Sequence, residues 1–567
     1  MNPSVVDCGG GVFLERGVHC RMSDGVDLVS DHYYPPDSGK NPTLLMRQPY
    51  GRDIASTVVY PHPVWFARHG YNVVIQDVRG RGDSGGAFYP FCHEGRDGAE
   101  TIAWLRTREE SNGRVGMYGF SYQGATQLLA AAEQPEGLQC IAPGMTACDL
   151  YHGWFYRQGA LRLSSALGWG LQMLKADARR KKLRDASDRL ERAWANLSTQ
   201  TAALPFREHP ALHGEGLPTY VLDWFDHADP GDYWASLDVS RSLNRISIPA
   251  LHVSGWFDTY VEGSVEGYRA LCNQAGSEFA RAHQYLIAGP WLHIPWGDRI
   301  GASDFGPEAL LDTDGILLRW FNHWLKDSGE FAAEPKVRHF VLGENSWRKS
   351  DAFPENADHI LYLHSNGKAN SRKGNGSLST ALPSDEPTDI FIHDPEVPVL
   401  APGGPAALSG QFDQSAIEMG NNVLVFTSPP LAESLLIFGT PRVSLFCSSS
   451  ASQTDFTAKL VRVRPGSADF ICIGIARSSW LFPERYTADA IHEWRFDLAP
   501  TSCRFNAGDQ IRLEIASSAF PLYDRNPGSL VPSCRATSWD WQRSTQIVHH
   551  DRHHPSALLL PRIEGAR

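Results

Sequence analysis

The segment Gly119-Phe120-Ser121-Tyr122-Gln123-Gly124 constrains this chain more than any other. A short strand-like run, Arg114 to Tyr118, leads into it, and a helix-forming stretch, Ala125 to Ala132, comes directly after. A serine in a tight strand-to-helix turn projects its hydroxyl from the sheet edge, with the helix N-terminus beneath it. That geometry suits a nucleophile. The usual spacing is Gly-x-Ser-x-Gly, and this chain departs from it: Gly119 stands two residues before Ser121, but Gly124 comes three after. So short a pattern arises easily in a chain with 51 glycines, and it gains weight only from an acid and a histidine in the right order downstream.

Triads of the α/β-hydrolase type run serine, then acid, then histidine. Residues 248–258 read as a buried strand running into Asp258, and residues 284–293 as another strand with His293 just beyond. In a parallel sheet the carboxyl ends of neighbouring strands converge on one rim. Ser121, Asp258 and His293 can therefore meet although they are far apart in sequence. The chemistry asks one thing of each: Ser121 attacks a carbonyl, His293 takes and returns the proton, and Asp258 fixes the imidazole tautomer.

Further stretches make the chain resemble the cocaine-esterase family of serine hydrolases, relatives of X-prolyl dipeptidyl peptidases, glutaryl acylases and α-amino acid ester hydrolases. They are Arg47-Gln48-Pro49-Tyr50, residues 74–80, the Ser121 segment, Gly255-Trp256-Phe257-Asp258, Gly289-Pro290-Trp291-Leu292-His293, residues 454–460 and residues 520–526. The resemblance spans nearly the whole length, and the family's Gly-x-Ser-Tyr-x-Gly form matches the displaced glycine. It implies an oxyanion hole formed by the Tyr50 hydroxyl and the Tyr122 backbone N–H, and an acyl pocket lined by Trp169 and Tyr260. It also implies cleavage of carboxylic esters through an acyl-enzyme, without metal or organic cofactor. An amidase, acylase or X-prolyl dipeptidyl peptidase using the same residues is the alternative. A vestigial serine beside a β-unit that only binds carbohydrate or protein is a third reading, and the complete ordered set argues against it. The family's α-amino ester hydrolases carry an acid shortly after the serine; here Tyr122, Gln123 and Gly124 occupy those positions, and none is acidic.

At 567 residues with 42% hydrophobic content, the chain is long enough for roughly three or four domains with real cores. The fold class is α/β with added units. Residues 1–145 alternate strand signals (43–46, 72–77) with helical ones (63–69, 98–105), which predicts a parallel sheet covered on both faces. From 146 to 240 the strand signal vanishes, and a helical cap is expected there. Its basic run, 175–184, reads as a solvated face. Alternation resumes over 241–350 as the second part of the hydrolase core. Over 351–567, β-branched runs near 359–363, 422–426, 442–446, 469–473 and 510–515 predict a β-sandwich, which the resemblance makes a jelly roll. Loops 367–377 and 401–410 are rich in glycine and turn-forming residues.

The remaining signals restrict partners. The formal charge of -12 argues against nucleic acid or an anionic membrane. No run approaches the ~18 apolar residues of a membrane span, and Met1 to Asp7 shows neither the basic start nor the apolar core of a signal peptide. Ten dispersed cysteines without metal-type spacing fit reduced, buried residues of a cytoplasmic protein. The expected partner is a small ester or amide substrate; the oligomeric state, a homodimer included, stays open. Gly80-Arg81-Gly82-Asp83-Ser84-Gly85 matches a dinucleotide fingerprint, but residues 86–90 are loop-forming where a helix must open. His549, His550, His553 and His554 read as a surface feature of the β-unit, not a metal site.

Overall fold

The structure is a computed structural model that describes residues 4–37, 39–53, 58–301, 303–402 and 410–563. Its first unit is an eleven-stranded sheet, β1 Ser4–Asp7, β2 Phe13–Arg21, β3 Asp27–Tyr34, β4 Asn41–Gln48, β5 Asn72–Asp77, β6 Ser111–Phe120, β7 Leu138–Gly144, β8 Ala250–Gly255, β9 Gln284–Gly289, β10 Val337–Val341 and β11 Ser346–Ser350, in the order β1-β2-β3-β5-β4-β6-β7-β8-β9-β10-β11. From β5 to β10 every pairing is parallel. Each residue of β5, β8 and β9 is buried, as strands covered on both faces must be. The sheet is not parallel throughout, however: β1, β2 and β3 pair antiparallel at one edge and β11 at the other. The alternating exposure along β2 gives the reason, since a strand with one wet face needs no covering helix and can pair through a short turn.

Register sets the heights at the carboxyl rim. Phe120 pairs with Gly144, Val253 with Gly144, and Gly255 with Gly289. The residues immediately beyond β4, β6, β8 and β9 therefore emerge together, and these carry Tyr50, Ser121, Asp258 and His293.

Helices Leu163–Arg180, Arg184–Ala195, Leu197–Ala202 and Tyr220–Asp226 form the cap, packed on an aromatic core that includes Trp154, Phe155, Trp224 and Trp234. One hairpin interrupts it, Tyr156–Arg157 against Ala160–Leu161. Its two-residue turn places Gln158 at φ 43° and Gly159 at φ 86°, the left-handed pair that the tightest hairpins require. Too short to show alternation, it leaves no strand signal in the sequence. The basic run is only partly solvated. Arg179 to Lys182 are exposed, but Asp177 within the same helix is buried, ion-paired with Arg81 at 3.1 Å and hydrogen-bonded by Tyr220 at 2.8 Å. Arg180 donates to the Ser84 carbonyl. The run thus anchors the cap on the 80–86 loop. That loop is no phosphate cradle: a Cβ on Gly82 would fall 1.9 Å from the Asp77 carboxylate, and the next helix begins only at Glu94.

The C-terminal β-rich unit holds a second eleven-stranded sheet, running from the Asp389–His393 edge to Ser467–Arg477, with a separate pair, Leu435–Gly439 and Thr501–Phe505. Strands His359–His364, Leu424–Thr427, Arg442–Ser449, Ser467–Arg477 and Gln510–Ala516 overlap the runs read from the sequence, the second starting two residues later than its run. Of the 401–410 loop, residues 403–409 lie outside the described residues. His550 is not a surface residue: it is fully buried, with Nε2 2.8 Å from Asp389 and Nδ1 3.4 Å from Glu386. All ten cysteines are free and seven are buried. Among the described residues no helix is long and apolar enough to cross a membrane.

One buried guanidinium joins the units. Arg477, at the end of its strand, grips Asp455 with Nε and Nη2 at 2.9 Å and Asp524 with Nη1 and Nη2 at 3.2 and 3.1 Å. Asn526 donates to the same Asp455, while the Leu161 N–H of the cap hairpin donates to Asp524 at 2.8 Å. Removing one partner strands a buried charge, which costs about 3–5 kcal/mol. Asp524→Ala is therefore expected to lower the first unfolding transition in urea by that amount, whereas a loss below about 1 kcal/mol would show that the clamp does not hold the units together.

Candidate active site

Ser121 has φ 60° and ψ -128°, a left-handed conformation that costs a non-glycine residue about 1–3 kcal/mol. The turn is over-determined: the Ser121 N–H donates to the Gly144 carbonyl at 2.8 Å, and the Ser121 carbonyl accepts from Gly124 and Ala125 at 2.8 and 3.1 Å. Both flanking glycines have steric causes. A Cβ on Gly119, at φ 135°, would lie 2.4 Å from the Gln123 Cβ. A Cβ on Gly124 would lie 2.8 Å from the Thr146 side chain and 3.0 Å from the Gly144 carbonyl. The second glycine stands three residues after the serine because that is where the helix presses on the end of β7. Gln123 occupies the room that Gly119 leaves, and its Oε1 accepts from the Phe120 N–H.

Across the rim, His293 Nδ1 lies 2.7 Å from Asp258 Oδ1. Asp258 is fully buried and its Oδ2 has no hydrogen-bond partner among the described residues, so its hydrogen bond to a side chain is the one with the imidazole. The ring is held from two sides, by Phe120 with centroids 5.3 Å apart and by Tyr260 edge-on at 5.2 Å. Because Phe120 directly precedes the serine, its contact sets the imidazole beside the elbow.

Tyr50, two residues past β4, brings its hydroxyl near the Ser121 side chain. On its other side the Trp169 indole N–H is buried but stops short of a well-formed bond. Burial raises the Tyr50 phenol above its ordinary value, which keeps it a proton donor. The Tyr122 side chain points away into the core: its hydroxyl donates to Glu94 at 2.8 Å and accepts from the Phe91 N–H at 2.9 Å. This fixes the first residue of the helix, whose N–H has no intrahelical acceptor. Glu94 in turn pairs with Arg47 at 3.0 Å, both nearly free of solvent. Burial raises the Glu94 carboxyl although Arg47 opposes it. The sequence marks neither as a site residue. Arg47 opens the Arg47-Gln48-Pro49-Tyr50 stretch, but its role depends on a partner 47 residues away.

The aromatic wall is continuous. Tyr260 stacks on Trp154 at 4.2 Å, and Trp169 stacks on Trp224 at 5.3 Å with planes 9° apart. Burial, with Asp258 adding to it, raises the Tyr260 phenol well above its ordinary value. Trp154, unassigned from sequence, bridges the two expected lining residues, with its ring 5.8 Å from that of Trp169. Trp256 is instead a core residue, its indole donating to the Phe340 carbonyl.

Residues 24–295 match the X-Pro dipeptidyl-peptidase (S15 family), and residues 329–559 the X-Pro dipeptidyl-peptidase C-terminal non-catalytic domain. A cocaine esterase from Rhodococcus sp. (strain MB1 Bresler) is 33% identical, aligned over 98% of this chain and 99% of its own length. The chain belongs to the cocaine esterase and X-Pro dipeptidyl-peptidase family. It is accordingly a hydrolase of the serine type. Among solved structures, an α-amino acid ester hydrolase superposes with a TM-score of 0.80 at 26% identity, covering 99% of this chain and 98% of that one. An aminopeptidase from the marine sediment archaeon Thaumarchaeota archaeon shares the fold, with a TM-score of 0.80 at 24% identity, covering 100% and 97%. In this chain the displaced second glycine, Gly124, owes its place to the close approach of helix and β7. The glycine before the serine is held just as tightly. Gly119→Ala is therefore expected to lower the yield of folded protein sharply, because its Cβ collides in a backbone region closed to alanine. Soluble protein with wild-type ester turnover would show that the elbow tolerates a Cβ there.

Proposed function

We propose that the chain hydrolyses carboxylic esters through an acyl-enzyme, with Ser121 as nucleophile, His293 as general base and acid, and Asp258 as the group that holds the imidazole. The observation that carries this is the 2.7 Å Asp258–His293 bond at a rim where the strained Ser121 elbow also emerges. Asp258 keeps the proton on Nδ1, which leaves Nε2 to accept the Ser121 proton as Oγ attacks the carbonyl carbon. The developing oxyanion receives the Tyr50 hydroxyl and the Tyr122 N–H. Collapse breaks the bond to the alcohol, which leaves with the proton from His293; water then attacks the acyl-serine by the same route.

The wall of Trp154, Trp169 and Tyr260 fits a flat, apolar acyl group, and the cocaine esterase likeness supports it. Amide or X-prolyl hydrolysis is the alternative that the family match keeps. A dipeptide substrate brings a free ammonium, yet the acids flanking Tyr260 are both committed: Asp258 to His293, and Glu262 to Arg157 and Arg162. That favours a neutral ester.

A panel of p-nitrophenyl esters beside aminoacyl and X-prolyl anilides tests the reading. Esters are expected to turn over and anilides not; rapid X-prolyl release would select the peptidase instead. Ser121→Ala should lower kcat by about 10⁶, as loss of a triad nucleophile does elsewhere, and residual turnover within about tenfold of wild type would remove Ser121 from the mechanism. Tyr50→Phe should cost about 10²–10³ in kcat. Because burial keeps this phenol protonated, the ratio of wild-type to variant kcat should stay constant from neutral pH to about pH 10, where a free tyrosine ionises. A ratio that closes toward one as pH rises would show that Tyr50 has lost its proton.

A further inference from the structure

One buried ion pair of the hydrolase core lies outside the triad and yet reaches toward both proposed oxyanion donors. Arg47 and Glu94 stand 3.0 Å apart, with side chains 0% and 2% exposed. Charges taken so far from water are held in place only when further hydrogen bonds fix them. The partners of this pair are specific.

On one side the pair holds Tyr122. Glu94 Oε1 accepts from the Tyr122 hydroxyl at 2.8 Å, and the same hydroxyl accepts from the Phe91 N–H at 2.9 Å. The Phe91 ring stacks on the Tyr122 ring with centroids 4.7 Å apart and planes 27° apart. Phe91 itself takes φ 68°, a left-handed value that a bulky residue adopts only under constraint. Glu94 opens the helix Glu94–Arg106, so its backbone is fixed as well. The Tyr122 side chain is thus clamped at its tip and along its ring. Its N–H is the first of the helix Tyr122–Ala132 and has no intrahelical acceptor to orient it. The clamp supplies that orientation.

On the other side the pair holds the approach to Tyr50. Arg47 Nη1 donates to the Glu94 carbonyl and Nε to Gln76 Oε1, both at 2.8 Å. The Arg47 carbonyl accepts from Thr126 Oγ1, on the helix after Ser121, at 3.3 Å. One residue on, Gln48 Nε2 donates to the Gly51 carbonyl at 2.8 Å, across the turn that carries Tyr50. The end of β4 is tied in this way to the helix start at Glu94 and to the helix of Tyr122.

Donors that must converge on one oxygen need a common support, because an oxyanion hole works through preorganisation. We propose that Glu94 and Arg47 are positioning residues of the oxyanion hole, fixing the Tyr122 N–H and the Tyr50 hydroxyl relative to each other through the Tyr122 side chain and the end of β4. This deepens the ester-hydrolase reading and rests on it. Neither residue touches the substrate.

Two variants test it with p-nitrophenyl acetate. Tyr122→Phe removes the hydroxyl and keeps the stacked ring. Glu94→Gln withdraws the charge opposite Arg47, and it carries the test alone should Tyr122→Phe fail to fold. Each should lower kcat about 10–100-fold, the effect of a donor displaced rather than removed. KM should stay within about twofold, as it does when a contact specific to the transition state is lost. Phenylboronic acid, whose tetrahedral adduct on Ser121 presents an oxygen to the hole, should bind more weakly by the same factor as kcat falls. The pH at which kcat/KM rises should not move, since His293 and Asp258 are untouched. Three results overturn the proposal: kcat kept within about twofold of wild type, a fall in kcat with boronate affinity unchanged, or a fall that comes with a shifted pH profile. Fluorophosphonate labelling of the wild-type chain separates the two levels. Absence of both label and ester turnover would end the ester reading and this inference with it, whereas a labelled, active wild type whose variants keep their kcat would end this inference alone.

Discussion

A single serine in a left-handed backbone conformation organises this molecule. Ser121 cannot hold φ 60° unaided, so its surroundings are arranged to leave no alternative: a hydrogen bond to the end of β7, a glycine before it that clears room for Gln123, and a glycine after it that lets the helix close on Thr146. These contacts require β6 and β7 to be in fixed register, and β7 fixes β8 through Val253 and Gly144. The height of Asp258 and, through the Gly255–Gly289 pair, of His293 are set by that register. The rim is thus a consequence of strand pairing, and the elbow is the point where a one-residue slip in it is least tolerable.

Two regions of the molecule differ in how they treat charge. At the proposed active-site rim aromatic side chains surround the serine, and burial raises the phenols of Tyr50 and Tyr260 above their ordinary values, so both stay neutral. Where the cap hairpin meets the β-rich unit, by contrast, Glu262 is ion-paired with both Arg157 and Arg162, and Asp497 with Arg442. Burial alone would raise Glu262, yet Arg157 and Arg162 hold it below the ordinary carboxylate range. Asp258 Oδ2, beside His293, has no hydrogen-bond partner among the described residues and stands out against this background of paired charge.

Much of the site could be read from the chain because strand ends leave local marks. A buried apolar run that stops at an aspartate or a histidine is visible in one dimension, and three in the order serine, acid, histidine restrict the fold. What escaped were features whose cause lies at long range. The hairpin around Gln158 is too short for alternation to show. His550 looks exposed in a polar tract, but it follows directly on the strand Ser544–His549 and turns inward to Asp389. Asp177 sits in a basic run and reads as solvated until Arg81, 96 residues earlier, is found beside it. The antiparallel edges of the first sheet differ from its centre only by polar alternation, which in β2 is broken by an irregularity near Glu15.

Arg477 carries a consequence beyond the stability it confers. Its two aspartates lie on separate segments of the β-rich unit, and one of them also receives a backbone N–H from the cap hairpin. The two matched segments, 24–295 and 329–559, look like interchangeable modules when considered as sequence. The ionic knot lies wholly within the second segment and meets the first through the Leu161 N–H, a backbone group that any hairpin of the same shape would present, so a crossover between the segments would leave the knot whole and depend on hairpin shape rather than on side chains.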